Sequence, residues 1–407
     1  MMSFEIRDPM PFFNNISLLP PDPILNLSID FSLDQNPHKI NLSAGTYKTA
    51  DGHSLVLTSV RKAEIDLLQK QLNKDYQPIE GNSVFLKNSL ELLFGSDHAL
   101  FTNKNFFAVQ TVGGTSALRL GGEFLNKLGC QKIFISQPSW PNHKQVFEKT
   151  GLKIDSYPYF DFNAYKLNFS GMCQAIRQMP TGSVILLHGC CHNPSGVDPT
   201  FEQWKELSQL IKKHELIPFF DIAYQGFGQD LELDAQPIRY FASEGHEMLI
   251  AYSFSKNFGL YGERVGFLTV LTSQQKQIPA IASQLKVLIR ANYSNPPLQG
   301  SRIVSTILSS PELTEEWKIE LKNMRDRVVE MRKTFIASLL VKGEDKNLNY
   351  LHQQIGLFGF CGLNYSQVNR LRKEFAIYIP SDGRINIAGL NTQNIEYVVN
   401  AISSVME

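Results

Sequence analysis

A regular alternation of helix-forming and strand-forming segments between about residues 55 and 320 constrains the fold of this chain most strongly. Helix-period segments such as SALRLGGEFLNKLG are followed by short apolar runs, among them KIFIS, SVILLHG, LIPFFDIAY, MLIAYSF and VGFLTVL. Short apolar runs of this kind are typical of strands buried on both faces, and helices between them allow parallel pairing. The pattern therefore predicts an α/β architecture with helices on both faces of a mainly parallel sheet.

Length and the C-terminal pattern predict a second, smaller domain. One hydrophobic core rarely exceeds ~250–300 residues, and this chain has 407. A charged amphipathic segment over residues 312–343 predicts a long, solvated helix that stops at Gly343. Strand-like GLFGFCGL and GRINIAG follow, each before a helical segment, which predicts an α+β domain. We expect an N-terminal arm and part of the small domain over 1–54, a large domain over 55–323 and a small domain over 324–407.

The first ~40 residues are rich in proline and asparagine, with prolines at positions 9, 11, 20, 21 and 23. Because proline fixes φ and lacks a backbone N–H, this composition predicts an extended arm rather than a core element. We expect the small domain to recruit part of this segment across the chain.

Composition argues against several classes of protein. The 39 basic and 39 acidic side chains balance, whereas binding to nucleic acid or anionic membranes usually brings a basic excess. No apolar run approaches the ~18–20 residues that span a bilayer. The N-terminal MMSFEIRDPMPFF has no basic region followed by an apolar one, and the five scattered cysteines do not suggest disulfides. We expect a cytoplasmic protein that acts on small molecules, with no nucleic-acid or membrane partner.

Polar and charged side chains stand where the predicted strands end. Asp221 ends IPFFD, Asn193 follows VILLHGCCH, Trp140 follows KIFISQPS and Lys256 follows LIAYSFS. A single carboxylate at a strand end is more often a helix cap or a turn former. In open α/β sheets, however, ligands bind beyond the carboxyl ends of the strands, so several such residues together favour a binding site.

The segment TVGGTSALRLGG offers a place for a phosphate group. Gly113 and Gly114 would let the backbone approach an anion, and the helix that begins near Thr115 would present free N–H groups. The alternative is an ordinary helix start capped by Thr115 or Ser116. The segment matches neither the dinucleotide fingerprint nor a Walker loop, which argues against a nucleotide-dependent dehydrogenase.

Lysine is seldom buried unless it is paired or used, and Lys256 lies in an apolar stretch with Ser253, Ser255 and Arg264 nearby. If Ser255 and Arg264 hold a phosphate, Lys256 can lie at the other end of the same ligand. An amine that forms a Schiff base with a phosphorylated aldehyde is the arrangement that binds pyridoxal 5'-phosphate. Asp221 would then keep the pyridine nitrogen of that cofactor protonated.

Six motifs now point to one family. SFSKNFGLYGERVG, HNPSGVDP, DIAYQGFG, PSWPNH, YSNPP and GRINIAG together resemble class I aminotransferases of the aspartate aminotransferase type, including the branch that acts on aromatic amino acids. The resemblance extends from DPILNL, which begins at residue 22, to the C-terminus. It implies the fold-type I architecture of pyridoxal-phosphate-dependent transferases: a large domain with a mainly parallel seven-stranded sheet, and a smaller α+β domain. It also implies a homodimer with shared active sites.

The resemblance implies a catalytic set of Lys256, Asp221 and Tyr224. Lys256 would bond to the cofactor and then move the proton between the substrate Cα and cofactor C4′. Asp221 would pair with the ring nitrogen, while Tyr224 and Asn193 would hydrogen-bond the ring hydroxyl oxygen. The other implied cofactor-binding residues are Trp140, stacked on the ring; His143, which supports Asp221; Gly113, Gly114, Thr115, Ser253, Ser255 and Arg264 around the phosphate; and Tyr76, which reaches the phosphate of the neighbouring subunit.

For the substrate, the resemblance implies that Arg384 in DGRINIAG binds the α-carboxylate, since a guanidinium forms two parallel hydrogen bonds with a carboxylate. The other residues implied near the substrate are Gly45, Trp140, Asn193 and Phe360. Arg290 in LIRANYSNPP would receive the second carboxylate of aspartate or glutamate across the subunit interface. Without the YSNPP context, Arg290 would be interpreted as an arginine on a helix surface.

The expected activity is transamination between L-aspartate and 2-oxoglutarate, by a ping-pong mechanism through pyridoxamine phosphate. The near alternative is an aromatic aminotransferase that acts on tyrosine or phenylalanine with the same acceptor. A remote alternative is a non-catalytic regulatory protein on the same fold, against which the retained Lys256, Asp221 and Arg384 argue.

One cluster suggests a metal site, because HGCCH places His188, Cys190, Cys191 and His192 close together. In a strand, side chains alternate between faces, so Cys191 would face away from the other three. We therefore expect no metal.

Overall fold

In the computed structural model, the described residues are 13, 16–20, 22, 24–342 and 346–406. The helices are α1 (Leu25–Leu33), α2 (Thr58–Gln69), α3 (Ser83–Phe94), α4 (Ala99–Asn103), α5 (Gly113–Lys127), α6 (Asn142–Glu148), α7 (Phe169–Ile176), α8 (Phe201–Lys213), α9 (Gln236–Ser243), α10 (Ile278–Asn292), α11 (Gln299–Ser309), α12 (Pro311–Val341), α13 (Tyr365–Phe375) and α14 (Ile395–Met406). The strands are β1 (Ile40–Asn41), β2 (Phe106–Val112), β3 (Lys132–Gln137), β4 (Lys153–Pro158), β5 (Phe160–Asp161), β6 (Lys166–Leu167), β7 (Val184–His188), β8 (Ile217–Ile222), β9 (Met248–Ser253), β10 (Val265–Leu271), β11 (Phe358–Phe360), β12 (Ile377–Tyr378) and β13 (Arg384–Asn386). Short 3₁₀ helices cover Gln275–Gln277, Lys346–Gln353 and Ile387–Gly389.

The central sheet has seven strands in the order β2-β10-β9-β8-β7-β3-β4. The neighbours from β9 to β4 pair in parallel, and β10 runs antiparallel to both β2 and β9. Every residue of β7, β9 and β10 is buried, as expected for strands covered by helices on both faces. The predicted α/β fold with a mainly parallel seven-stranded sheet is confirmed.

The parallel register brings the strand ends together at one edge of this sheet. His188 at the end of β7 lies opposite Asp221 on β8, and Asp221 lies opposite Ala251 on β9. Lys256 follows the end of β9 by three residues. Side chains that are far apart in the sequence therefore meet at the carboxyl edge, where open α/β sheets bind ligands.

The N-terminal segment differs in part from the expected extended arm. Helix α1 forms over Leu25–Leu33, and the Asp22 carboxylate accepts hydrogen bonds from the N–H groups of Ile24 and Leu25 at 2.9 and 2.8 Å. This side chain satisfies two N–H groups at the start of α1, so the expectation was wrong for these nine residues. No residue of α1 is buried, in agreement with a segment outside the core. The prolines at positions 9, 11, 21 and 23 lie outside the described residues.

The small C-terminal layer does recruit the N-terminal segment. Strand β1 pairs in parallel with β12, with Ile40 opposite Ile377 and Asn41 opposite Tyr378. Strands β11 and β13 form a separate antiparallel pair. The N-terminal segment and the tail thus form one structure, although more than 300 residues separate them.

The predicted long helix is α12, which begins after Ser310 and runs to Val341; the predicted stop at Gly343 lies outside the described residues. The Ser310 hydroxyl accepts a hydrogen bond from the Leu313 N–H, as an N-cap does. Contrary to the expectation of a solvated helix, one face of α12 is buried. Trp317 on that face is fully buried, and its indole N–H donates to the Asn257 carbonyl at 2.8 Å. Because Asn257 adjoins Lys256, α12 holds the lysine-bearing turn in place.

Three histidines are buried in a form that resists protonation. Burial lowers the pKa of His246 from 6.5 to about 4 and that of His188 to about 3, and it lowers the pKa of His192 well below the usual value. The His246 ring meets the Ser208 hydroxyl at 2.7 Å and stacks on Phe241. At these three histidines the folded chain therefore binds fewer protons than the unfolded chain below pH 6.5.

These shifts predict acid lability with a defined sign. A histidine whose pKa is lowered on folding stabilises the fold above its unfolded pKa of 6.5, and this contribution is lost as the pH falls toward the folded value. We expect each of these histidines to lower the free energy of unfolding below that pH by up to ~1.4 kcal/mol per pH unit. Asp198 and Asp234 act in the opposite direction, because burial raises the pKa of each to about 6. Urea unfolding at a series of pH values measures this slope.

Two variants measure the contribution of His246 to this pH dependence. His246→Gln should flatten the slope by about one proton's share. His53→Gln changes a side chain that is 81% exposed, and should leave the slope as it is. An unchanged slope in His246→Gln would contradict the assignment.

Candidate active site

A cleft of about 300 Å³ opens at the carboxyl edge of the sheet. Most of the residues predicted from the sequence line it together: Gly45, Gly114, Thr115, Trp140, Asn193, Asp221, Tyr224, Ser253, Ser255, Lys256, Arg264 and Arg384. They come from strand ends, from the start of α5 and from the small C-terminal strands, so the cleft lies where these parts of the fold meet.

Lys256 contributes a primary amine that is easily deprotonated. Burial lowers its pKa from 10.5 to about 8, nearby Asp221 acts to raise it, and the positive charges of Arg264 and Arg384 lower it further. Its Nζ lies 5.1 Å from the centre of the Tyr224 ring. The amine can therefore act as a nucleophile or a base near neutral pH.

Asp221 is a carboxylate that remains charged although its side chain is only 12% exposed. Burial acts to raise its pKa, but the hydrogen bond from His143, together with the electrostatic effects of His143, His188 and Lys256, outweighs burial and lowers it. His143 Nε2 lies 2.9 Å from Asp221 Oδ2, and His143 Nδ1 lies 2.8 Å from the Ser139 hydroxyl. Ser139 in turn reaches His188 Nε2 at 3.3 Å. This series of hydrogen bonds holds a negative charge in the cleft.

The start of α5 gathers groups that suit an anion. No side chain caps this helix: the residue before it is Val112, so the predicted alternative of a cap by Thr115 or Ser116 does not occur. Arg264 donates from Nη1 to the Ser255 hydroxyl at 3.2 Å, and Ser255 contacts Ser253 at 3.1 Å. Free N–H groups, two hydroxyls and a guanidinium thus converge, a combination that suits a phosphate group.

Glycine is required where α5 begins. Gly113 has φ of +72°, and a Cβ there would lie 2.6 Å from Arg264 Nη2. Any other residue would therefore be strained and would push the guanidinium aside. Gly113 itself is not among the residues that line the cleft.

A second guanidinium, that of Arg384, also lines the cleft. Arg384 is 2% exposed and donates from Nη1 to Asn193 Oδ1 at 2.8 Å and from Nη2 to the Ser43 carbonyl at 3.4 Å. Its Nε has no partner among the described residues. Asn193 Nδ2 donates to the Tyr224 hydroxyl at 3.3 Å, and burial raises the pKa of that hydroxyl. A buried donor without a partner is expected to bind a ligand, and a carboxylate matches it.

The family model that describes aminotransferases of class I and II matches residues 37–402. The chain belongs to this family. It is 44% identical over 395 residues to an aspartate aminotransferase of Escherichia coli strain K12, with 97% of this chain and 100% of the relative covered.

Two solved structures are also similar to this aminotransferase. One is an aromatic-amino-acid aminotransferase from Burkholderia pseudomallei covalently bound to pyridoxal phosphate, with a TM-score of 0.95, 42% identity and coverage of 98% of this chain and 100% of the other. The second is a psychrophilic aromatic amino acid aminotransferase from Psychrobacter sp. B6 cocrystallised with aspartic acid, with a TM-score of 0.95, 39% identity and coverage of 97% and 100%.

The cleft of this aminotransferase fits the cofactor on which its family in general depends, pyridoxal phosphate. The uncapped start of α5 with Arg264 suits the phosphate. The charged Asp221 suits a protonated ring nitrogen, and the deprotonatable amine of Lys256 suits an aldehyde. Trp140 lines the cleft beside them, and its ring meets His143 edge-on at 5.2 Å.

Two predicted residues of the aminotransferase, Tyr76 and Arg290, lie outside this cleft. Tyr76 is 91% exposed and belongs to the loop after α2. Arg290 is exposed near the end of α10, where it donates to the Ser294 hydroxyl. Both were expected to serve the site of a neighbouring subunit rather than their own.

The phenylalanine of β11 that lines the cleft differs from the one predicted from the sequence. Phe358 lines the cleft and Phe360 does not, so the expectation for Phe360 is corrected. The two residues share a face of β11 because side chains repeat every second residue. Phe360 lies further along the strand, where its ring packs against Phe160 and Phe162.

Sequence reasoning missed several residues, among them Tyr261, Phe358 and Ser139. Tyr261 lines the cleft, and its hydroxyl accepts a hydrogen bond from the Tyr47 N–H at 2.9 Å. It lies within SFSKNFGLYGERVG, so its place in that motif could have indicated a role. The linking Ser139 lies within PSWPNH, so its motif could also have indicated a role. Phe358 carried no comparable signal, since an aromatic residue in a short strand is usually core.

The geometry of HGCCH also differs from the expectation. Strand β7 ends at His188, and Cys191 has φ of +51°, so strand alternation does not apply there and the prediction that Cys191 faces away is wrong. The thiols of Cys190 and Cys191 and a carboxylate oxygen of Asp234 lie within 4.8 Å of one another. The hydrogen bond to Cys191 acts to lower the pKa of Cys190, yet burial raises it to about 11. Burial also raises the pKa of Cys191, so both thiols stay protonated at neutral pH.

None of the helices in the described ranges combines the length and the apolar character that a membrane crossing requires.

Proposed function

We propose that this aminotransferase carries pyridoxal phosphate in the cleft and transfers the amino group of L-aspartate to 2-oxoglutarate. One observation supports this above all: a buried amine with a pKa of about 8 lines the same cleft as a charged carboxylate and two guanidinium groups. This arrangement provides separate positions for a phosphate, a ring nitrogen, an aldehyde and a substrate carboxylate.

When bound, the cofactor acts as an electron sink for the electron pair released at the substrate Cα. Lys256 would take the proton from this carbon and deliver it to C4′ of the cofactor. It can do so because its neutral form is accessible near neutral pH. Asp221 would hold a proton at the ring nitrogen, supported by His143. Tyr224 and Asn193 would donate hydrogen bonds to the ring hydroxyl oxygen.

Arg384 would bind the α-carboxylate with two parallel hydrogen bonds, and its Nε without a partner supports this role. The side-chain carboxylate of aspartate would bind Arg290 of a second copy of this chain. The 44% identity with an aspartate aminotransferase supports aspartate as substrate.

The second candidate function is transamination of phenylalanine or tyrosine with the same acceptor. Ile24 and Leu25 of the segment that begins α1 line the cleft, together with Phe358, and give it an apolar rim that suits an aromatic ring. The high similarity to two aromatic aminotransferases, one of them cocrystallised with aspartic acid, supports a site that accepts both kinds of side chain.

We also propose a homodimer with shared sites. Tyr76 and Arg290 are exposed on a single chain, and they have no role in its own cleft. Ile65 and Leu68 on α2 are 56% and 78% exposed, which leaves apolar surface near Tyr76 in the sequence for a second copy to cover.

The domain boundaries at residues 54 and 323 remain part of this proposal. The pairing of β1 with β12 supports the assignment of the segment before residue 55 to the small domain. The cytoplasmic location expected from the N-terminal sequence also stays a prediction.

A substrate panel tests the proposal. The protein loaded with pyridoxal phosphate should absorb in the near-visible range, and borohydride should fix the cofactor to the peptide that contains Lys256. With 2-oxoglutarate as acceptor, kcat/KM should be higher for aspartate than for phenylalanine or tyrosine. The reverse order would favour the aromatic candidate. A colourless protein that transfers no amino group would disprove both and would favour a non-catalytic role.

A further inference from the structure

Arg332 on α12 is a buried cation outside the cleft. It is 5% exposed, and no carboxylate among the described side chains pairs with it. Its Nη2 donates to the carbonyl oxygens of Gly356 and Phe358 at 2.6 and 3.1 Å, while its Nη1 has no hydrogen-bond partner. A buried guanidinium without a counter-charge is costly, so its position calls for a reason.

The reason lies in one edge of strand β11, which is buried but has no partner strand. Strand β11 pairs with β13 on one side, where the Leu357 carbonyl accepts from the Ile387 N–H at 2.8 Å. Phe358 and Phe360 alternate with Leu357 along the strand, so their backbone groups point the other way. That outer edge has no partner strand in this two-stranded sheet, although Phe358 and Phe360 are 3% and 2% exposed.

Two side chains replace the missing strand. Arg332 supplies the donor for the Phe358 carbonyl, and the Gln354 side-chain carbonyl accepts from the Phe360 N–H at 3.0 Å. A Cβ on Gly359 would lie 3.0 Å from Arg332 Nη1 and 2.6 Å from Gln354 Oε1, so a glycine lets both side chains reach the strand. Buried backbone groups that would otherwise be unpaired are thereby satisfied.

The strand that Arg332 supports contributes Phe358 to the lining of the cleft. The Arg384 guanidinium lies over the Phe358 ring at 4.3 Å from its centre, and the Tyr224 ring meets it edge-on at 6.2 Å. A Cβ on Gly45 would lie 2.6 Å from Phe358, so the ring is also pressed against the substrate side of the cleft. A shift of β11 would therefore move the aromatic surface on which Arg384 rests.

We propose that Arg332 is a positioning residue for α-carboxylate recognition, because it fixes the outer edge of β11 and thereby holds Phe358 and Arg384 in place. This inference rests on the proposed function, in which Arg384 binds the α-carboxylate. Arg332 does not line the cleft. Its effect on binding should be the same for every amino acid substrate, since all carry the α-carboxylate.

The test compares Arg332→Gln with wild type. KM for aspartate and KM for phenylalanine should rise together by about tenfold to a hundredfold, as expected when hydrogen bonds from a charged group are lost. The saturated rate kcat should change by less than about threefold, because the proton-transfer groups stay in place. Arg332→Lys keeps the charge and some donors, so it should recover most of the loss.

A binding measurement separates this inference from the proposed function. Calorimetric titration of the purified protein with 3-phenylpropanoate, a carboxylate without an amino group, needs no turnover. Arg332→Gln should weaken this binding by the same factor as it raises KM. If wild type transfers no amino group yet binds 3-phenylpropanoate in an Arg332-dependent way, the proposed function fails and the positioning role of Arg332 stands.

Arg239→Gln is the matched control. Arg239 also donates to two backbone carbonyls, those of Leu92 and Leu93 on α3. It pairs with Glu232 and does not line the cleft. It should leave KM and 3-phenylpropanoate binding unchanged. If Arg332→Gln does not fold, Gly359→Ala displaces the same side chains and should raise both KM values. Unchanged KM and binding in Arg332→Gln, or equal losses in Arg239→Gln, would overturn the proposal.

Discussion

Lys256→Ala is expected to abolish amino transfer, with a loss in kcat of at least ~10⁴-fold, the upper end of what a single acid–base group contributes. The physical reason is the state of the amine. With a pKa of about 8, Lys256 is neutral far more often at pH 7 than an exposed lysine. The difference in the neutral fraction is on the order of a hundredfold. No other lysine lines the cleft among the described residues, so nothing nearby can replace it.

Stopped-flow and steady-state assays of the half-reaction with aspartate measure this loss. Lys205→Ala is the control, because Lys205 lies on the surface of α8 and pairs there with Glu202. It should leave kcat unchanged within a factor of about two, as surface ion pairs contribute little. Activity of more than a hundredth of wild type in Lys256→Ala would remove this lysine from the mechanism.

Arg290→Ala should reduce kcat/KM for aspartate by ~10²–10³-fold, because the side-chain carboxylate of the bound substrate would lose its counter-charge. The loss for phenylalanine should be much smaller, since its ring carries no charge. Parallel assays with both amino acids measure the difference. Arg177→Ala, at the exposed end of α7, serves as the control. Equal losses for aspartate and phenylalanine would show that Arg290 does not recognise the substrate side chain.

Mixing two inactive variants tests whether Arg290 acts across a subunit interface. Lys256→Ala and Arg290→Ala chains, unfolded and refolded together, should form mixed dimers that each contain one complete site. Activity toward aspartate should then recover to about a quarter of wild type, because half of the randomly paired dimers are mixed. If Arg290 served its own chain's cleft, no recovery would occur. A chain that stays monomeric in sedimentation at full activity would also contradict the shared site.

Much of the cleft could be predicted from the sequence because strand ends converge. In a parallel sheet, carboxyl ends share one edge, so Asn193, Asp221 and Lys256 had to meet once their strands were recognised. The glycines at the start of α5 and the arginine after Lys256 predicted a place for a phosphate, because a helix start presents free N–H groups. The motif order supplied the remainder, including Tyr76 and Arg290, which a single chain does not bring to its own cleft.

Other features depended on packing that no local pattern records. The alternation of β11 placed Phe358 and Phe360 on one face, but only the crossing of this strand over the cleft decides that Phe358 lines it. The turn after β7 gives Cys191 a positive φ, which removes the strand alternation on which its orientation had been inferred. Helix α1 depends on the Asp22 carboxylate at its start, in a segment whose prolines predict extension.

The sequence by itself determined the α/β architecture, the set of groups at the strand ends and the chemistry that they support, because periodicity and strand polarity follow from local residue order. Only the tertiary structure decided which aromatic ring supports Arg384 and how Arg332 and Gln354 complete the outer edge of β11. Those contacts join segments that are distant in sequence. Their hydrogen bonds satisfy buried backbone groups that packing leaves without a partner, and local residue order does not show which groups these are.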